Sequence, residues 1–252
     1  MIRVWDVRTG EPLRMLRGHL GNISSLALSA DGRYVASGGG SLDRTVRLWD
    51  LARAGPDRVL VGHTDAVLWA TFSHDGQRLA SCDMDHGVRV WPITDEASAT
   101  QPADDARTAT TFPSDTARDE PRGAHAACFT HDDARVVSGG ADGQIHVWNA
   151  RTGAAVSSWT CPGQFVRSLS LRPDDREVMS VSNDGAIRMW NVADRRMLFE
   201  VTQSHGEKFW SATGWWPSQP APTAPPARIA AGCEDGRVVL LDVTTGVECL
   251  TL

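Results

Sequence analysis

No two of the five cysteines (Cys82, Cys128, Cys161, Cys233 and Cys249) stand in a C-x-x-C pair, and their number is odd. A disulfide framework and a structural zinc site are therefore not expected. Reduced thiols fit the cytoplasm, with the nucleus as the other option. No run approaches the ~18 apolar residues of a membrane span, so no membrane partner is expected. The opening Met-Ile-Arg-Val-Trp-Asp lacks the apolar stretch of a signal peptide. An excess of basic residues is missing too. The net charge is −6 and the isoelectric point about 5.7, which argues against a nucleic-acid partner. No H-E-x-x-H, G-x-S-x-G or phosphate-loop pattern occurs. Gly38-Gly39-Gly40 is Gly-rich, but no helix follows it to present its N-terminus to a phosphate, so it reads as a turn. The expectation is a chain without catalysis, metal or cofactor.

Tyrosine is nearly absent, with one residue against ten tryptophans. An indole needs a large slot and a partner for its N–H, so the spacing of the tryptophans is informative. Trp5, Trp49, Trp91, Trp148 and Trp190 each close an apolar/polar alternation, such as Val-Arg-Leu-Trp or Ile-His-Val-Trp. A sixth copy, Val-Val-Leu-Leu, ends at Leu241. The intervals are 44, 42, 57, 42 and 51 residues. An Asp stands six residues before five of these ends, at Asp43, Asp85, Asp142, Asp184 and Asp235. Gly follows it in three, which is a hairpin signal. A second turn lies nearer the start of each unit, at Asp31-Gly32, Asp75-Gly76, Asp132-Asp133 and Asp174-Asp175. The unit from Trp49 to Trp91 reads as four short strands near 57–61, 66–72, 78–82 and 87–91. Sheets this small must bury both faces against neighbours, and radial stacking of four-stranded blades does so.

Gly18-His19, Gly62-His63, Trp5-Asp6 and Trp49-Asp50, with the variants Trp148-Asn149 and Trp190-Asn191, recur in register along nearly the whole chain. In these landmarks the sequence resembles the WD40-repeat family. The fold expected is all-β, a WD40-type β-propeller of five four-stranded blades plus a two-stranded half blade at the N-terminus. As one domain over 1–252, it divides into a half blade at 1–17 and blades near 18–61, 62–112, 113–160, 161–202 and 203–252. The half blade lacks its two inner strands, and the last blade already has its outer strand, so an incomplete ring is expected. Such a ring is open to self-association, to a natural protein that extends upstream, or to filling by another chain.

The resemblance implies a buried hydrogen-bond chain within each blade. Its members are His19, Ser37, Asp43 and Trp49, then His63, Ser81, Asp85 and Trp91. Later blades depart from it. Glu120 and Pro162 fall where His belongs, and Ala231 and Leu241 replace Ser and Trp after His205 and Asp235. A turn Asp there is expected to lack its partner, leaving softer C-terminal blades. Two insertions interrupt the repeats. One covers 94–123, with a short outer strand near 107–112, and the other covers Pro217 to Pro226. Each is either a docking motif or a plain surface loop.

Family partners dock where the Gly-His loops emerge, three and five residues after the His and one before the turn Asp. Those positions are Asn22, Ser24 and Leu42; Ala66, Leu68 and Met84; Gly123, His125 and Ala141; Phe165, Arg167 and Asn183; and Lys208, Trp210 and Glu234. Leu68, Met84, His125, Phe165, Arg167, Asn183, Lys208 and Trp210 have the aromatic, Met and Arg character of interface cores. The other reading of Phe165 and Trp210 is packing between blades. The function expected is a scaffold that binds a protein or peptide. The alternative is the sensor or regulatory tail of a larger signalling protein.

Overall fold

The structure, a computed structural model, describes residues 1–53, 58–84, 87–93, 109–112, 123–202, 208–215, 228–243 and 245–252, the side chains of Trp210 and Trp215 excepted. Among these residues every regular element is a strand. A two-stranded sheet comes first, of β1 (Ile2–Trp5) and β2 (Pro12–Leu16). Five four-stranded antiparallel blades follow. The first holds β3 (Ile23–Leu28), β4 (Tyr34–Gly39), β5 (Val46–Asp50) and β6 (Arg58–Leu60). The second holds β7 (Val67–Phe72), β8 (Arg78–Asp83), β9 (Val88–Pro92) and β10 (Thr110–Thr111). The third is β11 (Ala124–Phe129), β12 (Arg135–Gly140), β13 (Gln144–Asn149) and β14 (Ala155–Thr160). The fourth is β15 (Val166–Leu171), β16 (Glu177–Ser182), β17 (Ile187–Asn191) and β18 (Met197–Val201). The fifth is β19 (Phe209–Trp215), β20 (Arg228–Cys233), β21 (Val238–Asp242) and β22 (Glu248–Thr251). The sequence unit Trp49–Trp91 is thus split between two sheets, because β6 pairs with β5. The repeat counted from Trp to Trp runs one strand out of phase with the blade.

Alternation explains the stacking. Successive side chains of a strand point to opposite faces, and here both faces are covered. On β4, Val35 joins Ile2, Leu16 and Trp49 in one core, while Ala36 joins Val67, Leu79 and Trp91 in the next. On β12, Val136 and Val137 divide in the same way. Each core between neighbouring sheets holds one residue closing a third strand, in order Trp49, Trp91, Trp148, Trp190 and Leu241. Trp5 has no preceding sheet and is 48% exposed.

The sheets do not close into a ring. The half blade covers only the outer part of the first blade, so Leu26 and Leu28 on β3 are 56% and 61% exposed. At the other end Val238, Leu250 and Leu252 are exposed.

The tryptophan N–H groups are anchored by serine. Nε1–H donates to the hydroxyl of Ser37 from Trp49, of Ser81 from Trp91, of Ser138 from Trp148 and of Ser180 from Trp190, at 2.7–2.9 Å. In the first blade His19 Nδ1 lies 2.5 Å from Asp43 Oδ2, and Nε2 lies 2.7 Å from Ser37 Oγ. An ionised carboxylate only accepts, so Nδ1 carries the proton and Nε2 accepts from the serine. The second blade repeats this with His63 and Ser81, and the carboxylate that meets His63 Nδ1, at 2.8 Å, is that of Asp83. Asp85 lies outside the described residues.

The reason is steric. Asp43 reaches the histidine from the turn, across Gly39, where any Cβ would stand 2.1 Å from the Asp43 carboxylate. Asp83 holds the strand position that Gly39 holds in the first blade. It fills the same place from the strand itself.

The expected deficit in later blades is made up locally. Asp142 is bound by His146 Nε2 at 2.7 Å, and Asp184 by the buried guanidinium of Arg188, which also takes Glu200 and the carbonyl of Pro162. Both partners lie on the third strand, two residues before the tryptophan. Cys161, next to Pro162 in the histidine slot, brings its Sγ to 3.5 Å from Ser180 Oγ. Asp235 is bound by Arg237. Glu120, His205, most of the 94–123 segment and the 217–226 loop lie outside the described residues.

One further tie joins blades at the opposite end of the strands. Asp133 has φ of +55°, where the preceding turns have Gly32 and Gly76. Its carboxylate accepts the backbone N–H groups of His74 and Asp75, both at 2.8 Å. Asp175, with φ of +59°, holds the N–H of His131 likewise. A left-handed Asp is uphill relative to Gly, and the clamp on the neighbouring turn offsets that.

His63→Ala takes a partner from Asp83 and from Ser81 and should cost about 1–3 kcal/mol. Asp83→Ala should cost a similar amount and Asp85→Ala less than about 0.5 kcal/mol. Urea melts measure all three, and equal losses at 83 and 85 would place both carboxylates in the network.

Candidate functional site

Each innermost strand carries a β-bulge at its start. On β3, Ile23 pairs with Gly39 and Ser25 with Gly38, so Ser24 is skipped. The same break skips Leu68 on β7, His125 on β11, Arg167 on β15 and Trp210 on β19. A bulge leaves one residue out of the ladder and re-aims its side chain. Five blades therefore turn one residue each out of the pairing at the same mouth. All five are the positions five residues after the histidine slot.

The positions three after the slot are tied to the strand-two turn. Asn183 N–H donates to Phe165 O at 2.8 Å, Met84 to Ala66 at 3.0 Å, Ala141 to Gly123 at 3.0 Å and Glu234 to Lys208 at 2.9 Å. In the first blade Asn22 O takes Gly40 N–H instead, two residues before Leu42. Met84 bridges to the next blade, since its carbonyl occupies the space a Cβ on Gly123 would need.

Four of the expected partner-binding residues form one cluster. His125 and Phe165 are in ring contact, with centroids 4.1 Å apart, and the Arg167 guanidinium lies 5.4 Å from the Phe165 centroid. Arg167 donates through Nε and Nη2 to Asn183 Oδ1, at 3.1 and 2.6 Å. Met84, 46% exposed, and the exposed Lys208 flank the cluster, while Leu68 is half-buried and outside it. The Trp210 side chain lies outside the described residues. Phe165 is both a rim residue and an inter-blade contact, so its two readings are not exclusive. Sequence reasoning missed the bulges. Their trace is small residues opposite the break, Gly38-Gly39 and Gly139-Gly140.

Two family models match the chain. The WD40 model, described as WD domain, G-beta repeat, matches 10–50 and 55–92. A second model, PQQ_2, described as outer membrane protein assembly factor BamB, matches 75–250. The β-propeller domain of Cps50 (Swd1) from Myceliophteria thermophila, a solved structure, aligns with a TM-score of 0.76 at 20% identity. The alignment covers 99% of this chain and 79% of that one. No curated protein matches the sequence. The two models overlap, and the Gly-His, Trp-Asp and His–Ser–Trp hydrogen bonds decide between them.

The chain carries WD40 repeats over 10–50 and 55–92 and has a β-propeller fold along its length.

Within this WD40 chain the second model spans the blades where the Gly-His landmark has given way to Cys161, His146 and Arg188. The Trp–Ser bond persists there in the third and fourth blades.

The mouth has a pH signature. Burial, reinforced by the charge of Arg167, pushes His125 down to about 4, and burial also lowers His63. Between about pH 6.5 and those lowered values the unfolded chain takes up protons that the folded chain refuses. This contribution to stability is complete above about pH 6.5 and is lost as pH falls through the folded values. The melting temperature should fall on the acid side, and less steeply in His125→Gln. Equal slopes would show that His125 titrates normally in the folded chain.

Proposed function

We propose that this WD40 chain is a non-catalytic scaffold that docks a protein or peptide at the mouth where the five bulges lie. The cluster at the third and fourth blades is its centre. The observation that carries the reading is the repeated bulge, which turns one side chain per blade out of the sheet while its neighbours stay in the core. An Arg stacked on an aromatic ring, with an exposed Met beside it, has the composition of interface hot spots. We place it in the cytoplasm, with no nucleic acid, membrane or cofactor in its work.

Phe165→Ala with Arg167→Ala should weaken capture of a partner by about 2 kcal/mol or more, roughly thirtyfold, with the fold retained in circular dichroism. His74→Ala, at the opposite end of the strands, should leave capture intact. A double variant that binds as well as wild type would move the site to the insertions.

A second reading rests on the open ring: a regulatory part of a larger assembly, whose further strands or second copy cover Leu26 and Leu28. Burying those two would add about 1.5–3 kcal/mol each. The isolated chain should then self-associate in sedimentation velocity, and Leu26→Ser with Leu28→Ser should suppress it. A compact monomer at every concentration would show that the bare face is tolerated.

A further inference from the structure

We propose that a β-hairpin of a partner protein adds to the free edge of β1 and completes the first sheet. Its edge strand runs antiparallel to β1, with a small residue opposite Ile2, a serine opposite Arg3, a second small residue opposite Val4 and an aliphatic residue opposite Trp5. This rests on the second reading, in which further strands cover the open end of the ring.

The first sheet is the outer half of a blade. Its Ile-Arg-Val-Trp-Asp repeats the Val-Arg-Leu-Trp-Asp of β5, and β5 carries β4 on the edge that β1 leaves bare. Among the described residues β1 pairs only with β2. An edge of unpaired N–H and C=O groups is a template for another strand. Beside it a cavity of about 630 Å³ opens between Ile2 and Arg3 on one side and residues 23–26 of β3 on the other.

What is exposed at this cavity is buried in the neighbouring blades. Leu26 and Leu28 hold the register positions of Ala70 and Phe72 in the second blade. Ala70 and Phe72 are 4% and 9% exposed, and the leucines 56% and 61%. The cover over the second blade comes from the second strand of the first, whose Ala36 shares a core with Ala70 and Phe72. The first sheet has no such strand to lay over Leu26 and Leu28.

The blades also show what that strand must carry. Opposite Val46, Arg47, Leu48 and Trp49 stand Gly38, Ser37, Ala36 and Val35. A Cβ on Gly38 would stand 2.8 Å from Val67. Ile23 holds the place of Val67 on β3, so the residue opposite Ile2 must be small. Ser37 takes the Nε1–H of Trp49, and the next three blades repeat this bond. Trp5 is without such a serine among the described residues. Two strands are needed, since each of the five blades has two inside its third. A second copy does not supply them with its blades intact, because every second strand there is held between two others. The occupant is therefore a hairpin from a different chain. Its main chain supplies affinity, and its alternating side chains supply specificity.

The test uses the full chain and a labelled hairpin peptide that copies residues 23–39, titrated by fluorescence anisotropy. It should bind saturably and slow amide exchange at residues 2–5. Ser37→Ala in the peptide should weaken binding about fivefold. In the Trp5→Phe chain, which has no N–H to give, the two peptides should bind alike. Gly38→Leu in the peptide should abolish binding. Leu26→Ser with Leu28→Ser in the chain should weaken it about tenfold or more. Circular dichroism of the chain variants should match wild type, so that a loss is not misfolding. Serine and alanine peptides that bind wild type alike would overturn the proposed register. Binding untouched by the leucine variants would place the peptide elsewhere and overturn the inference. No binding, with self-association still suppressed by the leucine variants, would overturn the hairpin and leave a second copy as the cover. No binding by a chain that is monomeric at every concentration would overturn the inference and the second reading together.

Discussion

A four-stranded sheet of short strands has two faces and no interior, so no blade of this chain is stable alone. Every other feature answers that constraint. The second strand of a blade buries alternate residues in two different cores, and Val35 with Ala36, or Val136 with Val137, are the smallest statement of it. The tryptophan closing the third strand fills the largest part of each gap. Burying its N–H unmet is costly, and the serine of the second strand meets it. Where Leu241 takes the tryptophan's place, no N–H needs an acceptor, and Ala231 stands where the serine would. The two departures in the fifth blade are one change.

The carboxylate beneath the mouth shows how loosely the sequence is tied to a requirement and how tightly the structure is. In four blades a carboxylate is met by a cation or an N–H, yet the carboxylate comes from a turn in one case and a strand end in another. Its partner is a histidine from the loop in the first two blades, and His146 or Arg188 from the third strand in the next two. A third-strand residue two before the tryptophan points the same way as the tryptophan, which is why it can reach the site where the loop supplies Cys161. Satisfying the acid matters more than the route.

This decides what was legible in the residues. The five blades and the half blade follow from tryptophan spacing and turn chemistry, and the strands lie in that order. Asp83 went unread because the acid was counted back from Trp91, to Asp85. The carboxylate is set instead by its distance from Ser81 on the strand, and in the first blade both counts are compatible with an acid near the same spot. The supply of partners by His146 and Arg188 was invisible because both read as the polar half of an alternating strand. The clamps of Asp133 and Asp175 left a faint trace: an acid where a turn wants glycine.

The bulges resolve a conflict that the stacking creates. A blade buried on both faces has no side chain to spare for a partner, and its inner strand is the one nearest the mouth. Skipping one residue per inner strand frees that side chain while the residues before and after keep their ladder partners, as Val166 with Ser182 and Ser168 with Val181 do around Arg167. The skipped residue stands outside the ladder, and it differs in every blade: Ser24, Leu68, His125, Arg167 and Trp210. The neighbours in the ladder stay small or apolar. A chain built this way separates what holds it together from what it presents, and the mouth can change its chemistry without disturbing the cores behind it.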